Sequence, residues 1–255
     1  MEKTSRMYRF IRNSVKFCYK KISVEGQENL PGGPVIIVGN HCKMNGPIAA
    51  ELYVPGPHDT WCAAEMMHRE EVPEYAYRDF WSEKPKALRW FYRGLSHLIA
   101  PLSELVFTNA NTIGVYHDSR ILTTLKTTVK RLEEGSAIVI FPEHDAPYND
   151  ILNDFQTGFV DVARLYYKRT GKAVSFVPMY LAPALKTMYF GEPVSYCPEN
   201  PIEEERTRIC GCLMERITAM ARSLPRHRVV PYKNVPKKDY PYNLPEEKSY
   251  ETACG

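Results

Sequence analysis

Short runs of β-branched and aliphatic residues, each followed by a helical stripe, recur along this chain, and no other feature constrains its fold as much. Pro34-Val35-Ile36-Ile37-Val38 follows a turn cluster at 28–33 and reads as a buried strand running into Gly39-Asn40-His41. A helix opens over 47–54 with Pro47 near its first turn, and 60–66 supplies a second strand. Residues 112–116 form the next strand. Asp118 or Ser119 then caps a helix whose stripe is Ile121, Leu125, Val129 and Leu132, stopped at Gly135. A strand at Ala137–Phe141 leads to a helix carrying Phe159, Val162, Ala163 and Tyr166 that ends near Gly171. Strands at 173–181 and about 187–190 precede a last helix over 202–224 with Ile209, Leu213, Ile217, Met220 and Leu224 on one side. Strands alternating with helices predict an α/β fold with a central, largely parallel sheet covered by helices.

Two segments fall outside that rhythm. Residues 69–107 read as one or two surface helices, and their aromatic stretch 75–92 is either ordinary amphipathic core or a contact for lipid or an acyl chain. Residues 225–255 hold five of the 20 prolines with little apolar periodicity, an extended tail. The expected organisation is an amphipathic membrane-proximal helix over 1–22, an α/β domain over 23–224 and the tail over 225–255.

Charge is concentrated at the start. Residues 1–21 contain seven basic side chains against one acidic, more than the whole overall net charge of +3. At 100° per residue, Arg9, Arg12, Lys16 and Lys20 share one helical face, and Met7, Ile11, Val15, Cys18 and Ile22 the opposite one. A basic amphipathic helix of this kind lies in an anionic lipid surface, packs on its own domain, or does both. No basic stripe with interleaved aromatics continues into the body, which sets nucleic-acid partners aside. No run of about 18 apolar residues occurs, and the start MEKTSRMYRF lacks the apolar run and small-residue cleavage site of a secretory signal. With seven irregularly spaced cysteines, reduced thiols and a cytoplasmic setting are expected.

Ligands of α/β sheets bind beyond the carboxyl ends of the strands. Three strand ends carry polar residues: Asn40-His41, Tyr116-His117-Asp118 and Glu143-His144-Asp145. If the strands are parallel, the three share one rim, where a histidine can act as general base toward a hydroxyl. Cys42 adjoins His41, but neighbours on an extended chain point opposite ways, so a thiol–imidazole pair is not expected. Glycine loops of the nucleotide-binding type are absent from the sequence.

The segment ENLPGGPVIIVGNHCKMNGP, then FPE at 141–143 and FVP at 176–178, resembles the glycerolipid acyltransferase family of lysophosphatidic acid acyltransferases across roughly residues 22–195. The resemblance implies acyl transfer from acyl-CoA or acyl-carrier protein to a hydroxyl of a lysophospholipid-like or other lipid acceptor, with His41 as general base and no metal or organic cofactor. Asn40 and His41 match the family's N-H-x4-D motif, whereas Gly46 stands at the aspartate. Arg120 is the candidate for the arginine of the family's second motif. Phe141, Pro142 and Glu143 match the third, with His144-Asp145-Ala146 replacing the rest, and Val177-Pro178 matches the fourth. Loss of the orienting carboxylate of a histidine base costs about 10⁴ in rate in a serine protease. Asp145 or Glu143 is therefore expected to take that role. The expected catalytic residues are His41, Glu143 and Asp145; those expected to meet substrate are Asn40, Lys43, Arg120, Pro142 and Pro178. Two rivals stand beside this reading. One is a catalytically impaired binder of lipid or acyl-CoA on the same fold. The other is a metal-dependent hydrolase built on His41, Glu143, His144 and Asp145.

Overall fold

In the computed structural model, which describes residues 5–82 and 85–244, the chain opens with α1 (Arg6–Cys18) and a short strand β1 (Ser23–Glu25). Next come β2 (Val35–Gly39), α2 (Asn45–Tyr53), β3 (His58–Ala63), α3 (Val72–Ala76) and the long α4 (Arg89–Asn109). Then follow β4 (Thr112–Val115), α5 (Ile121–Glu133), β5 (Ala137–Ile140) and a hairpin of β6 (Glu143–Pro147) with β7 (Asn153–Phe155). The C-terminal half adds α6 (Asp161–Thr170), β8 (Ser175–Ala182), β9 (Thr187–Phe190), β10 (Val194–Ser195) and α7 (Ile202–Ser223).

The main sheet has the order β1-β9-β8-β2-β5-β3-β4, with β10 also pairing with β8. β2 runs parallel to β5 and β8, and β3 parallel to β5 and β4, whereas β8 meets β9 and β10 antiparallel. The largely parallel α/β sheet is thus present, with antiparallel pairing confined to the C-terminal strands and the separate β6/β7 hairpin. Sequential residues of β2 serve opposite faces. Ile36 and Val38 join Ile138, Phe176, Leu125, Val129, Leu213 and Ile217 under α5–α7. Val35 and Ile37 join Val139, Val177 and Met179 on the α2 side. Both faces being covered explains why β2 reads as a continuous apolar run; each such fully buried side chain contributes roughly 1.5–3 kcal/mol.

Several local expectations need correction. α5 is preceded by Arg120, and Asp118 accepts the Arg120 N–H at 2.8 Å instead of capping the helix. In α1 the face against the body is Tyr8 with Ile11 and Arg12, not the Met7–Val15–Cys18 stripe. The Tyr8 hydroxyl and Arg12 Nε both donate to Glu51 Oε1, at 2.7 and 2.8 Å. Met7, Phe10 and Phe17 stay exposed, by 59%, 73% and 90%, and Ile22 lies beyond the helix in the α2-side core. Residues 225–244 are extended but pinned. His227 is buried with its ring 2.8 Å from the Tyr180 hydroxyl, and Asn243 accepts the His227 N–H at 2.7 Å and donates to Ala221 at 2.8 Å. Lys3 and the tail from 245 onward lie outside the described residues.

Candidate active site

His41 and Glu143 each stand three residues past the Val38–Ile140 pair of adjacent parallel strands, which brings them level at the carboxyl end of the sheet. The contact between them is not the one anticipated. Glu143 is buried, and its Oε1 accepts the backbone N–H of His41 at 2.7 Å while Oε2 accepts that of Asn153 at 2.8 Å. The carboxylate thus ties the loop after β2 to β7. Burial pushes its pKa up to about 7 against the opposing pull of those two N–H groups.

Asn40 is buried and secures the other side of the loop. Its Oδ1 accepts Leu181 N–H at 2.7 Å, and its Nδ2 donates to the Leu181 carbonyl at 3.0 Å and to Cys42 Sγ at 2.8 Å. The Cys42 thiol, fully buried, is held well above its ordinary pKa by desolvation, which keeps it a neutral packing group. Cys42 and Lys43 then take left-handed backbone angles, φ of +48° and +56°. Such angles in consecutive non-glycine residues are strained, and the turn reverses the chain into α2. Gly46 donates its N–H to the His41 carbonyl at 3.0 Å. A Cβ at Gly46 would lie 2.4 Å from that carbonyl oxygen and 2.9 Å from the Phe141 ring, so the backbone closes the position where the resemblance places an aspartate.

Among the described residues, neither Glu143 nor Asp145 hydrogen-bonds the imidazole. Nδ1 of His41 is buried without a hydrogen-bond partner among the described residues. Both Glu143 oxygens are engaged elsewhere, and Asp145 is exposed on β6. The ring is instead contacted edgewise by Phe141, centroids 5.5 Å apart at 68°, and by Tyr232, 5.8 Å apart at 86°. Desolvation lowers the His41 pKa below 6.5, opposed by the Lys43 backbone and by the negative charge of Asp79. Burial thus favours the uncharged form of the ring.

The remaining candidates are scattered. Lys43 Nζ donates to Val235 O at 3.1 Å, Tyr240 Oη at 3.0 Å and Asn234 Oδ1 at 3.3 Å, with its charge 5.0 Å from the Tyr240 ring centre. Arg120 grips both oxygens of Asp118 and lies over Tyr116, beside a cavity of about 310 Å³ that Glu65 and Glu71 also line. A phosphate at Lys43 would have to displace one of these internal partners. His144 faces Asp154 at 3.6 Å, and among the described residues no group of three or more His, Cys, Asp or Glu is placed to hold a metal ion. Pro142 and Pro178 are buried, Pro178 within β8 opposite Val38, and both pass their carbonyls to backbone N–H groups, of Gln156 and Gly191.

No family model and no curated protein matches the sequence. A solved structure does. The chain is similar to the 1-acyl-sn-glycerophosphate (LPA) acyltransferase PlsC from Thermotoga maritima, with a TM-score of 0.46 and 17% identity over 86% of this chain and 83% of that one.

Sequence reasoning missed Tyr232, Asp79 and Asn153. Tyr232 and Asp79 reach the site from segments far from either motif, and nothing in their spacing announces it. Asn153 enters only through its backbone N–H, which no side-chain pattern encodes.

Proposed function

We propose that the protein is an acyltransferase that moves a fatty acyl group from acyl-CoA or acyl-carrier protein to a hydroxyl of a lysophospholipid-like or other lipid acceptor. The observation that carries this reading is the His41 imidazole at the carboxyl end of the sheet, on a loop held by Glu143 and Asn40. His41 takes the acceptor's hydroxyl proton as the oxygen attacks the thioester carbonyl. Collapse of the tetrahedral adduct breaks the C–S bond, and the imidazolium returns the proton to the leaving thiolate. The turn through Cys42 to Met44 supplies backbone N–H groups for the oxyanion. The chemistry asks for no metal or organic cofactor.

The proposed setting is the inner, cytoplasmic face of a membrane. No helix among the described residues is long and apolar enough to cross one. However, exposed Phe10 and Phe17 on α1 and Trp90, Leu98 and Leu102 on α4 accompany exposed Arg6, Arg9 and Lys16. Apolar side chains beside basic ones suit peripheral binding to anionic lipid.

The decisive assay follows free-thiol release from acyl-CoA with and without a lysophospholipid acceptor. Acceptor-dependent thiol that falls by about 10²–10⁴ in His41→Ala is expected. The closed Gly46 position favours one alternative, a lipid or acyl-CoA binder without turnover. Donor affinity with no His41-dependent thiol would establish that binder instead.

A further inference from the structure

The imidazole at the end of β2 has lost the means by which a histidine base is usually held. Gly46 admits no side chain, and Nδ1 of His41 is buried with no hydrogen-bond partner among the described residues. Beyond the nearby Lys43 backbone, packing limits the imidazole's rotation about the Cα–Cβ and Cβ–Cγ bonds. Two aromatic edges contact the ring. Phe141, from the end of β5, stands on one side, and Tyr232, from the segment after α7, contacts the ring almost perpendicularly at 5.8 Å.

Tyr232 is itself carried on a fixed strap. His227 and Asn243 anchor the two arms through buried bonds to Tyr180 and to the end of α7. The arms pair through Val229 N–H to Pro241 O at 2.9 Å and Asn243 N–H to His227 O at 3.1 Å. Between those anchors the strap meets the catalytic loop at Lys43, two residues from the base. The ammonium binds Asn234, Val235 and Tyr240, so the same loop that carries His41 also holds the strap that covers it.

We propose that Tyr232, latched across the site by Lys43, is the positioning residue of the His41 imidazole, fixing by ring packing the orientation that a carboxylate would fix by hydrogen bonding. The proposal rests on the reading of His41 as the base. It assigns Lys43 to the strap and not to substrate, and it gives residues 226–243 a part in catalysis. Misplacing a reacting group by about 1 Å costs on the order of 10²-fold in rate.

The test is steady-state kinetics of thiol release by the full chain. Tyr232→Leu is expected to lower kcat by about 10–100-fold with the donor KM unchanged. Tyr232→Phe, which keeps the ring, should retain kcat within about twofold because edge packing does not need the hydroxyl. Lys43→Met, which keeps the stem and removes the latch, should lower kcat in the same manner but less; it also carries the test if the leucine variant fails to fold. Wild-type kcat in the leucine variant, or in Lys43→Met where the leucine variant fails to fold, would overturn the assignment. So would an equal loss in the phenylalanine variant, or a rise in KM alone. A fully active His41→Ala would instead overturn the catalytic reading itself, whereas an inactive His41→Ala beside a fully active Tyr232→Leu would remove only this assignment.

Discussion

At Gly46 the backbone leaves no space for even a methyl group, because the His41 carbonyl, the Asn40 carbonyl and the Phe141 ring all lie within 3.0 Å of where it would sit. Placing a carboxylate there with Gly46→Asp should therefore fail to raise activity. Gly46→Ala alone should cost about 1–3 kcal/mol through overpacking, seen as a drop of roughly 2–4 °C in Tm for each kcal/mol. Glu143 makes a pH-dependent prediction. Its pKa rises from 4.5 in the unfolded chain to about 7 in the fold, so the folded state retains a proton that the unfolded state releases between those values. Stability from this group is full below pH 4.5 and is lost as the pH climbs through 7. Replacement by glutamine removes that dependence, so thermal melts of Glu143→Gln should gain on the wild type between pH 5 and pH 8. The same variant should lose activity at every pH, since an amide cannot accept both the His41 and Asn153 N–H groups.

Among the elements, α1 meets α2 through polar side chains. Tyr8 and Arg12 converge on Glu51 of α2 in a partly exposed cluster, of a kind worth about 1 kcal/mol or less. Glu51→Ala should accordingly leave the main melting transition within a few degrees while making the Arg9 and Lys16 bonds of α1 cleave faster in limited trypsin digestion. That polar attachment also explains what periodicity misreads. A hydrophobic stripe finds α5, α6 and α7, whose buried faces are Leu125–Val129–Leu132, Val162–Ala163–Tyr166 and Ile209–Leu213–Ile217. It cannot find a helix whose inward face sets a phenol and a guanidinium beside a single aliphatic residue, Ile11. Likewise β2 and β5 announce themselves through unbroken aliphatic runs, and their common direction brings His41 and Glu143 together. The β6/β7 hairpin is invisible because Glu143-His144-Asp145 alternates polar side chains. The role of Glu143 as a clamp on backbone N–H groups, instead of on the imidazole, follows from register and loop geometry that no motif records.

For the molecule as a whole, exposed Phe10, Phe17, Leu98 and Leu102 sit on two packed helices that also border a cavity of about 630 Å³ lined by Met7, Pro101 and Leu105. If that face rests on lipid, the protein should float with vesicles rich in phosphatidylglycerol and release as salt is raised. A Phe10→Ser/Phe17→Ser pair should abolish flotation without shifting Tm by more than a degree or two, because both rings are already in water. The strap from 226 to 243 has a different consequence. It lies after every strand of the sheet in the chain, yet it supplies the Tyr232 ring that packs edgewise on His41. A ribosome will therefore have released the whole β-sheet, His41 and Glu143 included, before the piece that completes their surroundings emerges. If His41 is the base, a polypeptide halted just short of this segment would lack the ring against its imidazole, and activity would have to await the docking of the last arm.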